Sequence, residues 1–412
     1  LCRLINGHVE QLIYGHLEGG TEMNQQKERA ITTIDALQAE LITLSHNIHA
    51  NPEVSLTEYK AVEFIAQLLR NQGFEVQVGL GGLDTAFVAS KQGNKPGPHV
   101  ALLAEYDSLP GIGHACGHNL IAMASTAAAV GLASVLDNVS GQVTLFGTPS
   151  EETNGAKVPM AAAGLFDEFD AALIVHPGAR TTVDAASLAI DAIEFTFLGK
   201  AAHAAGAPHE GINALDAVIS LFNNLNALRE HLTSDVRIHG IISEGGVAPN
   251  IVPERAVARF YFRAAERAYL NEVVGKAKKV AEAAALATGC RLEMCNFELS
   301  FDNLHSNKLL AATYKTHLEA LGVTDIESPS GGKGSTDMGN VSQVTPAIHP
   351  SMCIGPKTLV GHTHEFCQAA ASPEALAAML VAAKAMALTG LDVLTDSTLR
   401  KQIRAEFAAG KR

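Results

Sequence analysis

Cys116 and His118, in Gly113-His114-Ala115-Cys116-Gly117-His118-Asn119, stand two residues apart and can aim at one point from a loop. Thiolate and imidazole suit a borderline metal such as zinc, although a Cys-x-His pair alone is more often structural. In Ser150-Glu151-Glu152, two adjacent carboxylates end an apolar run and point different ways, so one can bind metal while the other acts as a base. Two solvated acids are the plainer reading of any such pair. His176 follows another apolar run, and His362 and His364 lie in a late loop, Gly361-His362-Thr363-His364-Glu365-Phe366. Each feature can be dismissed singly. Together they exceed the needs of one tetrahedral ion and point to two metals.

Elements must bring these residues together. Apolar residues at helical spacing predict helices over 28–50, 57–72 and 120–136. Short apolar runs at 74–78, 85–90, 99–104, 142–147 and 171–175 predict strands, so this part alternates as an α/β domain. The acidic turn Glu105-Tyr106-Asp107, Glu151-Glu152 and His176 all fall just past such strands. From about Ser187 the order becomes strand, helix, strand, strand, helix, strand, the split βαβ pattern of an α+β sandwich. We therefore expect a mixed-sheet catalytic domain over 23–186 and 302–412, interrupted by an inserted domain over 187–301. Residues 1–22 show little apolar periodicity and are read as a non-native or disordered leader before Met23.

The inserted domain carries polar groups of its own. His203 follows a strand in Gly199-Lys200-Ala201-Ala202-His203, and Asn250 sits among glycines and prolines in Gly245-Gly246-Val247-Ala248-Pro249-Asn250. Both could donate to a developing oxyanion. Arg263, at a strand end, could hold a carboxylate bidentately or make an ordinary surface pair.

Bulk properties exclude several classes. A net charge of -13 argues against nucleic acid or an anionic membrane as partner. Six cysteines without regular spacing in 412 residues are no disulfide framework, and a cytoplasmic location is expected. We find no run approaching the roughly 18–20 continuous apolar residues of a membrane span.

These residues resemble a known family, the dinuclear metallohydrolases of the carboxypeptidase G and aminoacylase type. The amidohydrolase subgroup with hippurate, indole-acetyl-amino-acid and aminobenzoyl-glutamate hydrolases is the nearest match. The resemblance runs from about Ile34 to Leu388, through HNIHANPEVSLTEYKA, AEYDSLPGIGHACGHN, GTPSEE, VHPG, GKAAHAAGAPHEGINALDA, GGVAPNIVP, GSTDMGNVS and GHTHEF in order. It implies two divalent ions, zinc or manganese, held by Cys116, His118, Glu152, His176 and His362. Glu151 would be the general base and Asp107 a supporting carboxylate. His362 is preferred to His364 because His-x-x-x-Phe fits the family spacing, and Asn119 stands where many relatives have Asp.

By the same resemblance the inserted domain is a lid and dimerisation domain. His203 would serve a partner subunit's site, and Asn250, Arg263 and the Gly334–Ser335 turn would bind the far end of the substrate. The partner is a second copy or a related subunit. The expected activity is hydrolysis of an amide in an N-acyl or N-aminoacyl amino acid, aminobenzoyl-glutamate-like. The alternatives are a general dipeptidase and a non-catalytic binding protein on the same scaffold.

Overall fold

The computed structural model describes residues 21–328 and 334–410. The leader expected at 1–22 lies outside them, apart from Thr21 and Glu22, which open the first helix. The described residues form two compact units, divided at Ser187 and after Asn303, with 334–339 grouped with the smaller. Sequence pattern alone places that last segment in the larger domain.

The larger unit begins with α1 (Thr21–Ala36) and α2 (Gln38–Ala50), where Leu37 interrupts what the periodicity predicts as one helix. Helix α3 (Tyr59–Asn71) buries Val62, Ile65, Ala66 and Leu69 on one face. Strands β1 (Glu75–Leu80), β2 (Leu83–Gln92) and β3 (His99–Ala104) lead to α4 (His118–Ala133), then to β4 (Gln142–Gly147), α5 (Lys157–Ala162), β5 (Ala171–Leu173), β6 (His176–Gly178) and β7 (Thr181–Thr182). Every residue of α4 is buried, which suits its runs of alanine: small side chains let neighbouring elements approach on all sides.

The smaller unit contains β8 (Ala189–Leu198), α6 (Ala214–Arg229), β9 (Arg237–Glu244), β10 (Arg255–Ala264), α7 (Arg267–Thr288) and β11 (Arg291–Asn296). Its sheet is antiparallel throughout, in the order β11-β8-β10-β9, the arrangement of a split βαβ unit. Phe195, Phe197, Phe260 and Phe262 pack with Val218, Leu221, Leu270 and Val273 from the two helices in its core.

The chain returns to the larger unit through α8 (Lys308–Ala320), β12 (Ile326–Glu327), α9 (Met338–Val344), β13 (Ala347–Ile348), β14 (Ser351–Cys353), α10 (His364–Ala369), α11 (Pro373–Thr395) and α12 (Ser397–Gly410). Helix α11 is long and apolar enough to cross a bilayer by length and composition. Most of its apolar window is buried inside the unit, where it packs on α4. The main sheet has the order β1-β2-β4-β3-β5-β13; β3, β4, β5 and β13 are parallel, and β1 and β2 are antiparallel additions at one edge. A second small sheet, β12-β7-β14-β6, extends from the ends of β5 and β13.

Candidate metal centre

The register of the parallel strands assembles the site. Ala104 of β3 lies opposite Gly147 of β4, Leu102 opposite Leu173 of β5, and Leu173 opposite Ile348 of β13. The carboxyl ends of all four therefore open on one edge, the usual place for a ligand in an α/β sheet. Glu105 to Asp107, Ser150 to Glu152, His176 and His349 follow those ends.

Turns with constrained backbones fix the ligands. Gly117, between Cys116 and His118, has φ +76°, and a Cβ there would meet Pro177 Cγ at 2.5 Å. Only glycine satisfies both demands, so the Cys-Gly-His turn packs directly on the His176-Pro177 turn. Ser150 and His362 adopt φ of +65° and +62°, uncommon for residues with a side chain. The Ser150 amide donates to Glu58 Oε1 at 3.0 Å, and the same carboxylate accepts from the Leu56 amide and from Thr85 Oγ1. The His362 amide donates to the Ala115 carbonyl at 2.9 Å, tying the last loop to the Cys116 turn.

All five expected ligands converge. Cys116, His118 and His176 form one grouping, Cys116, Glu152 and His362 a second, and His118, Glu151 and Glu152 a third, with ligand atoms in each within 4.8 Å of one another. Cys116 Sγ is 3.3 Å from His176 Nε2, Glu152 Oε1 is 3.8 Å from His118 Nε2, and Glu152 Oε2 is 3.6 Å from His362 Nε2. Two donors bound to one tetrahedral ion at zinc-like bond lengths lie about 3.3–3.6 Å apart. His364 begins α10, is exposed, and joins none of these groupings.

Each imidazole presents the correct nitrogen. Asp107 Oδ1 accepts from His118 Nδ1 at 2.9 Å, and the Pro177 carbonyl accepts from His176 Nδ1 at 2.6 Å, leaving both Nε2 atoms toward the cluster. Asp107 Oδ2 also accepts from the Glu152 amide at 3.0 Å. One carboxylate thus orients two expected ligands. Asn119 is structural here: its amide donates to Ser45 Oγ and to the Ala370 carbonyl.

The electrostatics call for a cation. Burial would raise the Asp107 carboxyl, but His118 outweighs it and holds the group below its usual range. Burial would lower His118, yet Asp107 above all drives it well above the ordinary imidazole value. Burial pushes the Cys116 thiol up and His176 down. A positive charge at His118 Nε2 is what the surrounding carboxylates demand, and a divalent ion held there would supply it and favour the thiolate form of Cys116. His118 Nε2 and Glu152 Oε1 are buried without hydrogen-bond partners, as atoms reserved for an ion are. The donor set fits a two-ion centre.

Sequence reasoning gave no role to three residues beside this cluster. Glu105 is fully buried, with Oε1 accepting from Lys157 Nζ at 2.7 Å. His349 lies with its ring 5.6 Å from that of His176, and burial pushes it down to about 3. A signal for His349 was present: His349-Pro350 after an apolar pair repeats His176-Pro177.

The smaller unit separates the remaining expected residues into two places. His203 is exposed, and its Nδ1 accepts from the amides of Ala205 and Gly206 at 3.2 and 3.0 Å, which puts the proton on Nε2 as an outward donor. The Ala204 amide donates to the Asn250 carbonyl, and His203 bridges to Ile251, joining these loops near the Leu198–Arg255 pair of the sheet. At the other end of the same ladder, where Arg263 faces Ile190, Arg263 Nη1 donates to Ser335 Oγ at 2.9 Å and the Gly334 carbonyl accepts from the Leu188 amide. The ten-residue β10 holds the two groups roughly 30 Å apart. Within one chain Asn250 and Arg263 thus lie toward opposite ends of the same ladder.

Comparison with known proteins agrees with this architecture. Residues 189–288 match the model of the peptidase dimerisation domain. The chain is 38% identical to the mouse Xaa-Arg dipeptidase over 94% of its own length and 93% of the relative's. It is 30% identical to one of the subunits of p-aminobenzoyl-glutamate hydrolase from Escherichia coli K12, over 90% and 93% of the two chains. Among solved structures, a dinuclear metal-binding peptidase of the M20 family from Bacillus subtilis superposes with a TM-score of 0.68 at 19% identity, covering 87% of this chain and 99% of that one.

Proposed function

The chain belongs to the M20 family of metallopeptidases and amidohydrolases, and on that footing we propose that it cleaves the amide bond of a dipeptide or a related N-acyl amino acid. The observation that carries the reading is the convergence of Cys116, His118, Glu152, His176 and His362, with buried donor atoms left for ions. Zinc or manganese suits this mixture of thiolate, imidazole and carboxylate. When bound, two such ions polarise the scissile carbonyl and acidify a water for attack.

The protein's own groups do the rest. Glu151, adjoining the His118 and Glu152 ligand atoms, takes the proton of the attacking water and returns one to the leaving amine. Asp107 keeps His118 in the tautomer that faces the ions. His203, with its proton held on Nε2, donates to the oxyanion of the tetrahedral state. Arg263, braced by Ser335, pairs with the substrate carboxylate.

Two copies complete the arrangement in this reading. In this reading His203 and Asn250 serve one active site and Arg263, Gly334 and Ser335 another, with a second copy supplying what the length of β10 separates in a single chain. Strand β9 is an edge of its sheet and exposes Ile241 and Ile242, apolar positions a second copy would cover. Among the described residues the cysteines are free, which suits the reducing cytoplasm.

The sequence alone ranks an aminobenzoyl-glutamate-like substrate first; the greater identity to a dipeptidase moves dipeptides ahead of it. The test is hydrolysis of Xaa-Arg dipeptides and aminobenzoyl-glutamate with and without chelator, alongside elemental analysis. Chelator-sensitive cleavage with about two ions per chain supports the reading. Glu151→Gln is expected to lose turnover while keeping its ions, and loss of metal in that variant refutes the division of labour between the two glutamates.

A further inference from the structure

The turn after β3 aims two carboxylates, not one, at His118. Glu105 and Asp107 flank Tyr106 just past the end of β3, while Tyr106 between them turns into the core, its hydroxyl donating to the Thr85 carbonyl at 2.6 Å. Asp107 takes the Nδ1 side of the ring at 2.9 Å, and Glu105 Oε2 stands 3.5 Å from Nε2 on the other. Both Glu105 Oε2 and His118 Nε2 are buried without a hydrogen-bond partner. A charge-assisted hydrogen bond between them would draw them to about 2.7–2.9 Å. A separation of 3.5 Å instead matches that of two donors on one ion, about 3.4 Å apart at bond lengths near 2.1 Å.

We propose that Glu105 is a further carboxylate donor of the metal centre, with Lys157 as its built-in counter-ion. Lys157, the first residue of α5 and fully buried, clamps Oε1 at 2.7 Å, which fixes the carboxylate plane and points Oε2 at the ion-facing nitrogen of His118. A buried ion pair with no such task would gain from engaging both oxygens, because a buried carboxylate oxygen left unsatisfied is costly. Lys157 also offsets one charge in a site where Glu105, Asp107 and Glu152 crowd together, so the added carboxylate does not overload the centre.

This inference rests on the two-ion reading above, and its test separates the two. The plain truncation Glu105→Ala strands a buried lysine and invites misfolding. The informative variant is therefore Glu105→Gln combined with Lys157→Met, which removes both charges at similar volume. Zinc affinity is measured by competition with a chromogenic chelator on metal-free protein, with circular dichroism and the thermal midpoint as fold controls. A folded variant that binds one zinc at least about tenfold more weakly than wild type supports the proposal, and unchanged affinity for both ions overturns it. A crystal structure of the wild-type protein soaked in zinc decides the matter without any variant. Glu105 Oε2 within about 2.6 Å of an ion supports the assignment, and an oxygen beyond about 3.5 Å from every ion overturns it. Absence of zinc from wild-type crystals and solution alike would fall on the metal reading itself.

Discussion

Replacing Asp107 with Asn tests how the site is oriented, because the change keeps shape and removes one acceptor. Asp107 accepts from His118 Nδ1 at 2.9 Å on one oxygen, and from the Glu152 amide at 3.0 Å and Ser55 Oγ at 3.3 Å on the other. An amide has a single acceptor oxygen, so one side must fail. If the NH2 faces His118, the imidazole accepts at Nδ1 and carries its proton on Nε2, where an ion belongs. If it faces the other side, the Glu152 amide meets a donor and the turn carrying Glu151 and Glu152 shifts. Either outcome forfeits one charge-assisted hydrogen bond, about 1.5–3 kcal/mol, or roughly a ten- to hundredfold loss of metal affinity. Chelator competition on metal-free wild-type and Asp107→Asn protein reads this directly, with the thermal midpoint of both metal-free forms as control. Wild-type affinity for both ions in a folded Asp107→Asn protein would refute the claim that Asp107 orients His118 and Glu152.

Three more expectations follow from the same geometry. His362→Ala is expected to lose one ion by elemental analysis, whereas His364→Ala keeps both, since only His362 approaches Glu152; equal metal content in the two variants would contradict the assignment. Gly117→Ala must place a side chain at φ +76° and against Pro177, and a drop in stability of about 1–3 kcal/mol by urea denaturation is expected. Pro177→Ala added to it relieves only the contact, so full recovery in the double variant would show that the backbone conformation costs nothing. For Asp392, burial raises the carboxyl, but His317 and Lys27 outweigh it and depress the group in the folded state. A depressed acid contributes stability that is present above its unfolded pKa, about 4, and is lost as pH falls through the folded value. The gap in thermal midpoint between wild type and Asp392→Asn is therefore expected to be full at pH 7 and to close below about pH 4; a gap independent of pH would remove the electrostatic explanation.

Much of the site was legible because its signals are local. A ligand that follows an apolar strand within a few residues announces both its chemistry and its place, as Glu152 after β4 and His176 after β5 do. The alternation of Phe195 and Phe197 with polar neighbours, followed by a helical stripe, was enough for the split βαβ unit, since period and order are sequence properties. The preference for His362 over His364 rests on family spacing; in the structure His362 has a left-handed backbone, and a helix starts at His364.

What sequence could not decide is what distant segments do to one another. Glu105 and Lys157 are 52 residues apart, and nothing local marks either as buried or paired. Glu58 steadies the Ser150 turn from 92 residues away. His349 follows a strand of only two residues, too short for any periodicity to reveal, and it reaches the site because Ile348 pairs with Leu173 in the parallel sheet. The length of β10 likewise parts Asn250 from Arg263, two residues that lie close in sequence. Residue types and their short-range spacing determined which chemistry this chain can perform. Register between strands, which depends on hydrogen bonds across the sheet and on burial of both faces, decided which carboxylates and imidazoles meet.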